Sequence, residues 1–172
     1  GSASVTDSVG GNSNTWTPLT EVSAGGRIGR LFYCVNPTVG SGHTFTNTSG
    51  FPSITVSVWS GAAASPFDQE SGQATNHPGS ITPVEDKELL VPGAGGHSDA
   101  TSESIDSGFT ISDDISSGGN NVGCSMAYLI ETTATAKDPN WTPANNSRTV
   151  MAAFKAGAGG GAGGAYNPLG HF

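Results

Sequence analysis

The sequence predicts an all-β domain, a single β-sandwich of Ig-like or jelly-roll kind, and three observations predict it. Apolar residues alternate with hydroxyl-bearing ones at period two. Clusters of Gly, Pro and Asn recur between those runs as turn signals. No stretch shows the 3.6-residue periodicity of an amphipathic helix. Many short strands separated by such turns are the pattern of a two-layer β domain.

In chain order, a weak strand is expected at 15–22, after the Gly10-Gly11-Asn12 turn. Leu31-Phe32-Tyr33-Cys34-Val35 is apolar on both faces, so it is expected as a central or inter-subunit strand. It lies between the turns Gly25-Gly26 and Asn36-Pro37. A further strand is expected at 43–48, after Gly40-Ser41-Gly42. Over residues 53–58, Ile54, Val56 and Val58 share one face and hydroxyls the other. Strands at 88–92 and 109–115 follow, divided by Gly95-Gly96. Beyond Gly118-Gly119-Asn120, Val122, Cys124, Met126, Tyr128 and Ile130 alternate with smaller residues. Val150, Ala152 and Phe154 mark a last strand.

Composition supports this class and excludes others. The 172 residues suit one domain, and Gly, Ser and Thr make up 66 of them. Leu, Ile, Val and Phe number only 31, yet a net charge of −8 is too mild for disorder by charge repulsion. Six Lys and Arg cannot neutralise a phosphate track, which argues against nucleic acid as partner. No run of 18 apolar residues exists, so no membrane span is expected. The start at Gly1, with no signal-like segment, suggests a removed leader or a trimmed fragment. Cys34 and Cys124 fit either one buried disulfide of an oxidising compartment or two inert thiols. Sequons at Asn47, Asn140 and Asn145 are possible glycosylation sites.

The globular part is expected over 1–155, and the C-terminus has a different composition. Residues 156–165 contain only Gly and Ala, a flexible linker with a random-coil reach of roughly 18 Å. The tail 166–172 then carries Tyr166, Pro168, Leu169 and Phe172. A frayed terminus is one reading of it. The other is a tether whose aromatic end docks on a neighbouring subunit.

Segments along the chain resemble a family of Ig-like or jelly-roll β-sandwich domains in uncharacterised bacteriophage and bacterial surface proteins. The likeness is carried by Ser4-Val5-Thr6-Asp7-Ser8 with Asn14-Thr15-Trp16-Thr17, then by Arg30-Leu31-Phe32-Tyr33 and Gly42-His43-Thr44-Phe45-Thr46. It continues in Ser65-Pro66-Phe67-Asp68, Gly79-Ser80-Ile81-Thr82-Pro83, Asp106-Ser107-Gly108-Phe109-Thr110 and Ala152-Ala153-Phe154-Lys155. The resemblance implies a fold rather than a reaction, in virion, tail or extracellular-fibre proteins. The chain is also similar to protomers of extracellular fibrils built by donor-strand exchange. An apolar strand usually precedes the V-T-D-S segment in that family, and here only Gly1-Ser2-Ala3 do. A trimmed start would explain this, as would an open edge completed by a strand of another subunit.

Residues that carry chemistry are sparse. There is no G-x-S-x-G elbow, H-E-x-x-H, phosphate loop or dinucleotide fingerprint. His43, His77, His97 and His171 sit in Gly/Pro/Ser-rich surroundings without metal-ligand spacing and are expected as solvated loop residues. Asp99, Glu103, Asp106 and Asp113-Asp114 could ligate Ca²⁺ from adjacent loops, but their spacing fits a solvated acidic rim better. Trp16, Trp59 and Trp141 are expected as core or interface anchors, with a sugar-stacking surface as the alternative.

No catalytic residue, cofactor or metal is therefore expected. The expected function is that of a non-enzymatic structural protein, a self-assembling subunit of an extracellular filament or virion surface assembly. Its partners would be other copies of itself. The assembly segments expected are Val5 and Val9 at the N-terminus and Leu31, Tyr33, Val150 and Phe154 in the groove strands 28–35 and 148–154. Tyr166, Leu169 and Phe172 supply the tail. The alternative is a carbohydrate- or receptor-binding module of a phage tail or bacterial surface protein, with glycans as partners.

Overall fold

The structure is a computed structural model that describes residues 3–9, 13–47, 53–97, 103–115, 123–142, 147–158 and 166–171. Every regular element among the described residues is a β-strand. The first half of the chain forms short strands: β1 (Val5–Ser8), β2 (Thr17–Pro18), β3 (Val22–Ala24), β4 (Arg27–Gly29), β5 (Phe32–Tyr33), β6 (Thr44–Asn47) and β7 (Ser57–Ser60). The second half holds the long ones: β8 (Ala62–Gln73), β9 (Leu89–His97), β11 (Thr110–Ile115), β12 (Gly123–Ile130) and β14 (Arg148–Ala156). Minor strands are β10 (Ser104–Ile105), β13 (Trp141–Thr142) and β15 (Asn167–His171).

One five-stranded antiparallel sheet, in the order β11-β12-β9-β14-β8, organises the molecule. Its central strand β9 contains Pro92, which lacks an N–H. The ladder from β9 to β12 pairs Gly93 and Leu90 but lapses at Pro92 between them. Strand β8 was not legible in the sequence, because Pro66 and Gly72 break its pattern. It lies at the sheet edge, where Pro is tolerated, and its register on β14 shifts twice near Phe154.

Alternation along β9 and β14 divides the apolar residues between two faces. On one face Leu90, Ala94, Met151 and Ala153 join Ala127, Phe109, Ile81 and Trp141 in a closed core. On the other face Leu89 and Val91 pack with Tyr166, and Met126, Tyr128, Ile130 and Phe154 lie against them. Short two-stranded ladders cover this second face: β1-β6, β2-β5, β3-β4 and β7-β15.

The sequence-based expectation for 31–35 needs correction. Only Phe32 and Tyr33 form a ladder, with Thr17 and Pro18, and the run is not part of the five-stranded sheet. The centre is β9, a strand rich in Gly that pattern reading truncates at residue 92. Likewise only 57–60 of the 53–60 region is in a ladder.

The β3-β4 hairpin turns on Gly25 and Gly26, both at positive φ, as a two-residue primed turn requires. It then lies flat on the sheet. Gly29 approaches so closely that a Cβ there would collide with the Arg148 backbone carbonyl and come within 2.9 Å of the Arg148 Cβ. Gly95 faces it, where an added Cβ would lie 3.3 Å from the Gly29 Cα. Because the obstacle is sheet backbone, Gly29→Ala is expected to lift the hairpin and to destabilise the protein by about 1–3 kcal/mol. Thermal unfolding of the variant checks this, and an unchanged midpoint would show that the hairpin does not pack as described.

Candidate functional site

The C-terminal segment returns to the fold as an added strand. Asn167, Pro168, Gly170 and His171 of β15 pair antiparallel with Ser60, Trp59, Val58 and Ser57 of β7, with a bulge between Pro168 and Gly170. Ahead of the strand, Tyr166 is 3% exposed. Its hydroxyl donates to the Lys155 carbonyl at 2.6 Å, and its ring enters the Leu89–Val91 cluster. Burial pushes its phenol further up, so it stays a neutral donor. Trp59 on β7 meets Tyr128 edge-on with ring centroids 4.8 Å apart, and its indole N–H donates to Ser57 Oγ at 2.9 Å. Leu169, 63% exposed, contributes no anchor. Residues 159–165 and Phe172 lie outside the described residues.

Beside this docked tail lies a cavity of about 900 Å³ between the sheet and the short ladders. Leu89, Val91, Met126, Val150 and Phe154 line its floor. Residues 26–37 and 53–62 border it continuously.

The expected assembly residues divide between these features. Val5 in β1 pairs with Asn47, and Val9 is buried. Leu31, Tyr33, Val150 and Phe154 all border the cavity. Tyr33 stacks on Phe67 at 5.8 Å and meets Phe154 edge-on at 5.5 Å. Cys34 and Cys124 also border it, each half-buried with a free thiol. Burial pushes both thiols up, and for Cys34 the Asp7 charge adds to the effect. They are therefore protonated and poor nucleophiles.

His43 is not the solvated loop residue its neighbours suggested. Its Nε2 lies 2.7 Å from Asp7 Oδ2, its side chain is largely buried, and its ring stacks on Phe45 at 4.4 Å. Asn14 adds hydrogen bonds to the same carboxylate from its backbone N–H, at 2.7 Å, and its side-chain amide. Burial alone would raise the Asp7 carboxyl, but the Asn14 and His43 hydrogen bonds outweigh it and hold the group at about 2. This network ties β1 to Asn14 and to His43, which immediately precedes β6. Sequence patterning could not find it, because the partners come from three separated segments.

His77 is exposed, and His97 and His171 lie in β9 and β15. Of the acidic candidates, Asp99 is outside the described residues. Asp114 accepts from the Glu103 N–H and the Ser125 hydroxyl, and Asp106 accepts from the Asn140 N–H. No group of three potential metal ligands occurs among the described residues. Trp141 is fully buried, whereas Trp16 and Trp59 are half-buried, Trp16 meeting Phe45 edge-on at 6.0 Å. Asn47 and Asn140 are half-buried, and Asn145 lies outside the described residues. No helix of the described residues is long and apolar enough to cross a membrane. Comparison of the chain with family models, curated proteins and solved structures yields no match.

Proposed function

We propose that the chain is a non-enzymatic structural protein of β-sandwich architecture, a self-assembling subunit of an extracellular filament or virion surface assembly. One observation carries this reading: the C-terminal segment docks as an added strand behind a buried tyrosine, at the end of a tract of Gly and Ala. Backbone hydrogen bonds give such a segment its register, and one side-chain pocket gives it its anchor. The same bonds form when the segment lies on Ser57–Ser60 of a second copy. Repeated head to tail, the exchange produces an open chain of subunits.

Docking within one chain competes with docking between chains. A short tether gives its own tail an effective concentration of about millimolar. Exchange is therefore expected at the local concentrations of an assembly and not in dilute solution. Tyr166→Ala removes the anchor and is expected to weaken tail docking by about 2 kcal/mol, roughly thirty-fold, in either arrangement.

Negative-stain electron microscopy of concentrated full-length chain, of Tyr166→Ala and of a chain lacking 158–172 tests the reading. Filaments or lattices are expected from the full-length chain alone. Monodisperse particles in all three samples would overturn it. A glycan array probed with Trp16→Ala and Trp59→Ala variants would then decide the carbohydrate-binding alternative.

A further inference from the structure

The five-stranded sheet carries one cluster of polar side chains that tail docking does not use. In the ladder of β14 on β8, Ala153 pairs with Gln69 and Phe154 with Phe67, so Asp68 is the extra residue of a bulge. A bulge re-aims a side chain. Here the Lys155 Nζ lies 3.7 Å from Asp68 Oδ1, with the two side chains 31% and 6% exposed. Across β14, Phe154 pairs with Leu89, which brings Glu88 to the same end of the sheet. Glu88 is 0% exposed, and its Oε1 accepts from the Glu85 N–H at 3.1 Å. Its Oε2 is buried, has no hydrogen-bond partner among the described residues, and faces the Asp68 carboxyl.

An ion pair alone does not account for this arrangement. At 3.7 Å the Lys155–Asp68 contact is too long for a hydrogen bond. A second carboxyl buried against the first has a desolvation cost, and a Lys–Asp pair has no use for it. The two Asp68 oxygens are also treated unequally. Oδ2 accepts from the Gln69 side-chain amide at 2.8 Å and from the Val84 N–H at 3.3 Å, whereas Oδ1 faces the lysine. Two donors on one oxygen polarise the carboxyl carbon and stabilise negative charge that develops there. Burial, and then the Asp68 charge, push Glu88 up to about 7, so it can hold or release a proton near neutral pH. An amine, a polarised carboxyl and a buried proton carrier are the parts that an amide condensation needs.

We infer that Asp68 and Lys155 form an intramolecular isopeptide bond, joining Asp68 Cγ to Lys155 Nζ with Glu88 as the proton carrier. The ammonium first passes one proton to the Asp68 carboxylate, which leaves an amine and a carboxylic acid. The amine nitrogen attacks Cγ, and the charge that develops on Oδ2 is met by the Gln69 and Val84 donors. Glu88 takes a proton from the nitrogen and delivers one to the hydroxyl on Cγ. The C–O bond breaks, one water leaves past the partly exposed lysine, and Glu88 ends as it began. Ammonium and carboxylate thus become amide and water, with no oxidant, reductant or cofactor. Bulk water opposes such a condensation, and an effective molarity on the order of 10⁵–10⁸ M for well-oriented groups reverses that balance. The reaction runs once per chain, so it does not make the protein an enzyme, and it does not depend on tail exchange. In a filament joined by tails, load would enter β14 through the Gly/Ala tract after Lys155, and the bond would pass it covalently to β8.

Intact-mass spectrometry of the full chain after incubation at pH 7, followed by sequencing of its proteolytic peptides, tests this. The wild-type chain is expected to be lighter than its sequence by one water, with residues 68 and 155 in a single branched peptide. Lys155→Arg keeps the positive charge but offers no amine, and it should show the full mass. Glu88→Gln keeps the contact to the Glu85 N–H without a carboxyl proton to carry, and it should link about a hundred-fold more slowly. A wild-type chain of full mass that yields only unbranched peptides overturns the inference, whether or not either variant folds. A water loss that persists in Lys155→Arg refutes it in favour of a succinimide at another position. Linking at the wild-type rate in Glu88→Gln refutes the role given to Glu88. Closing the bond removes the Asp68 charge, so the effect of that charge on Glu88 is measured in Lys155→Arg, which retains it. The tail-exchange reading stands or fails separately, since its readout is assembly and not mass.

Discussion

Trp141→Ala is expected to destabilise the protein by about 3–5 kcal/mol, the range for truncating a large aromatic in a packed core. Trp141 is 0% exposed and packs with Ile81, Leu90, Phe109 and Met151. Its backbone also ties three segments together: its N–H donates to the Asn76 carbonyl at 2.9 Å, and it pairs with Ile105. The ring fills the space between the 76–81 loop, the 103–109 segment and the sheet, so no neighbouring side chain can swing in to refill it. Trp59→Ala should be milder, because Trp59 is half-buried on the tail-docking side. Urea unfolding of the two variants checks the ranking. A Trp141→Ala chain as stable as wild type would mean that the closed core lies elsewhere. Because Trp141 is on the face away from the cavity and the tail, folded Trp141→Ala protein should still dock its tail.

Glu88→Gln is expected to stabilise the protein above pH 7, by on the order of 2–3 kcal/mol, and to leave it nearly unchanged near pH 4.5. Glu88 is fully buried, and one carboxyl oxygen accepts from the Glu85 N–H at 3.1 Å. Its other oxygen faces the Asp68 carboxylate, and two acceptors share a hydrogen only if one is protonated. Burial, and then the Asp68 charge, push Glu88 up to about 7. A carboxyl whose pKa is raised on folding favours the folded state in its protonated form. Its contribution is therefore present in full below about 4.5 and is lost as pH rises towards 7. Glu103 is pushed up to about 7 by burial and the Asp114 charge, and it acts in the same direction. Gln keeps the oxygen for the Glu85 N–H and offers an amide N–H to Asp68 at every pH. Unfolding free energies at pH 5 and pH 8 test this. Equal losses across that range in wild type and variant would show that Glu88 titrates normally. Asp7 works the other way, since its contribution is lost only as pH falls below about 4 towards 2.

Alternation made β11, β12 and β14 legible in the sequence, along with the all-β class, because one face of each is buried and period two is then enforced. The anchor role of Trp141 was legible for the same reason. Strand β8 was not, because an edge strand accepts Pro66 and irregular register. The reach of β9 past Pro92 was hidden too, since Gly93, Gly95 and Gly96 bring no apolar side chain to the alternation, and Gly95 lies where the Gly29 backbone comes close.

Sequence by itself also determined the unusual tail: a Gly/Ala tract followed by an aromatic cluster is visible without any fold. Only the tertiary structure decided where Tyr166 goes, since its pocket is assembled from Leu89, Trp59, Phe154 and the Lys155 carbonyl. The same holds for the His43–Asp7 contact and for the cavity between the 26–37 and 53–62 segments. Patterning reports which side of a strand faces inward, a local property with a short period. Which distant segments meet depends on chain topology, and no local period encodes it.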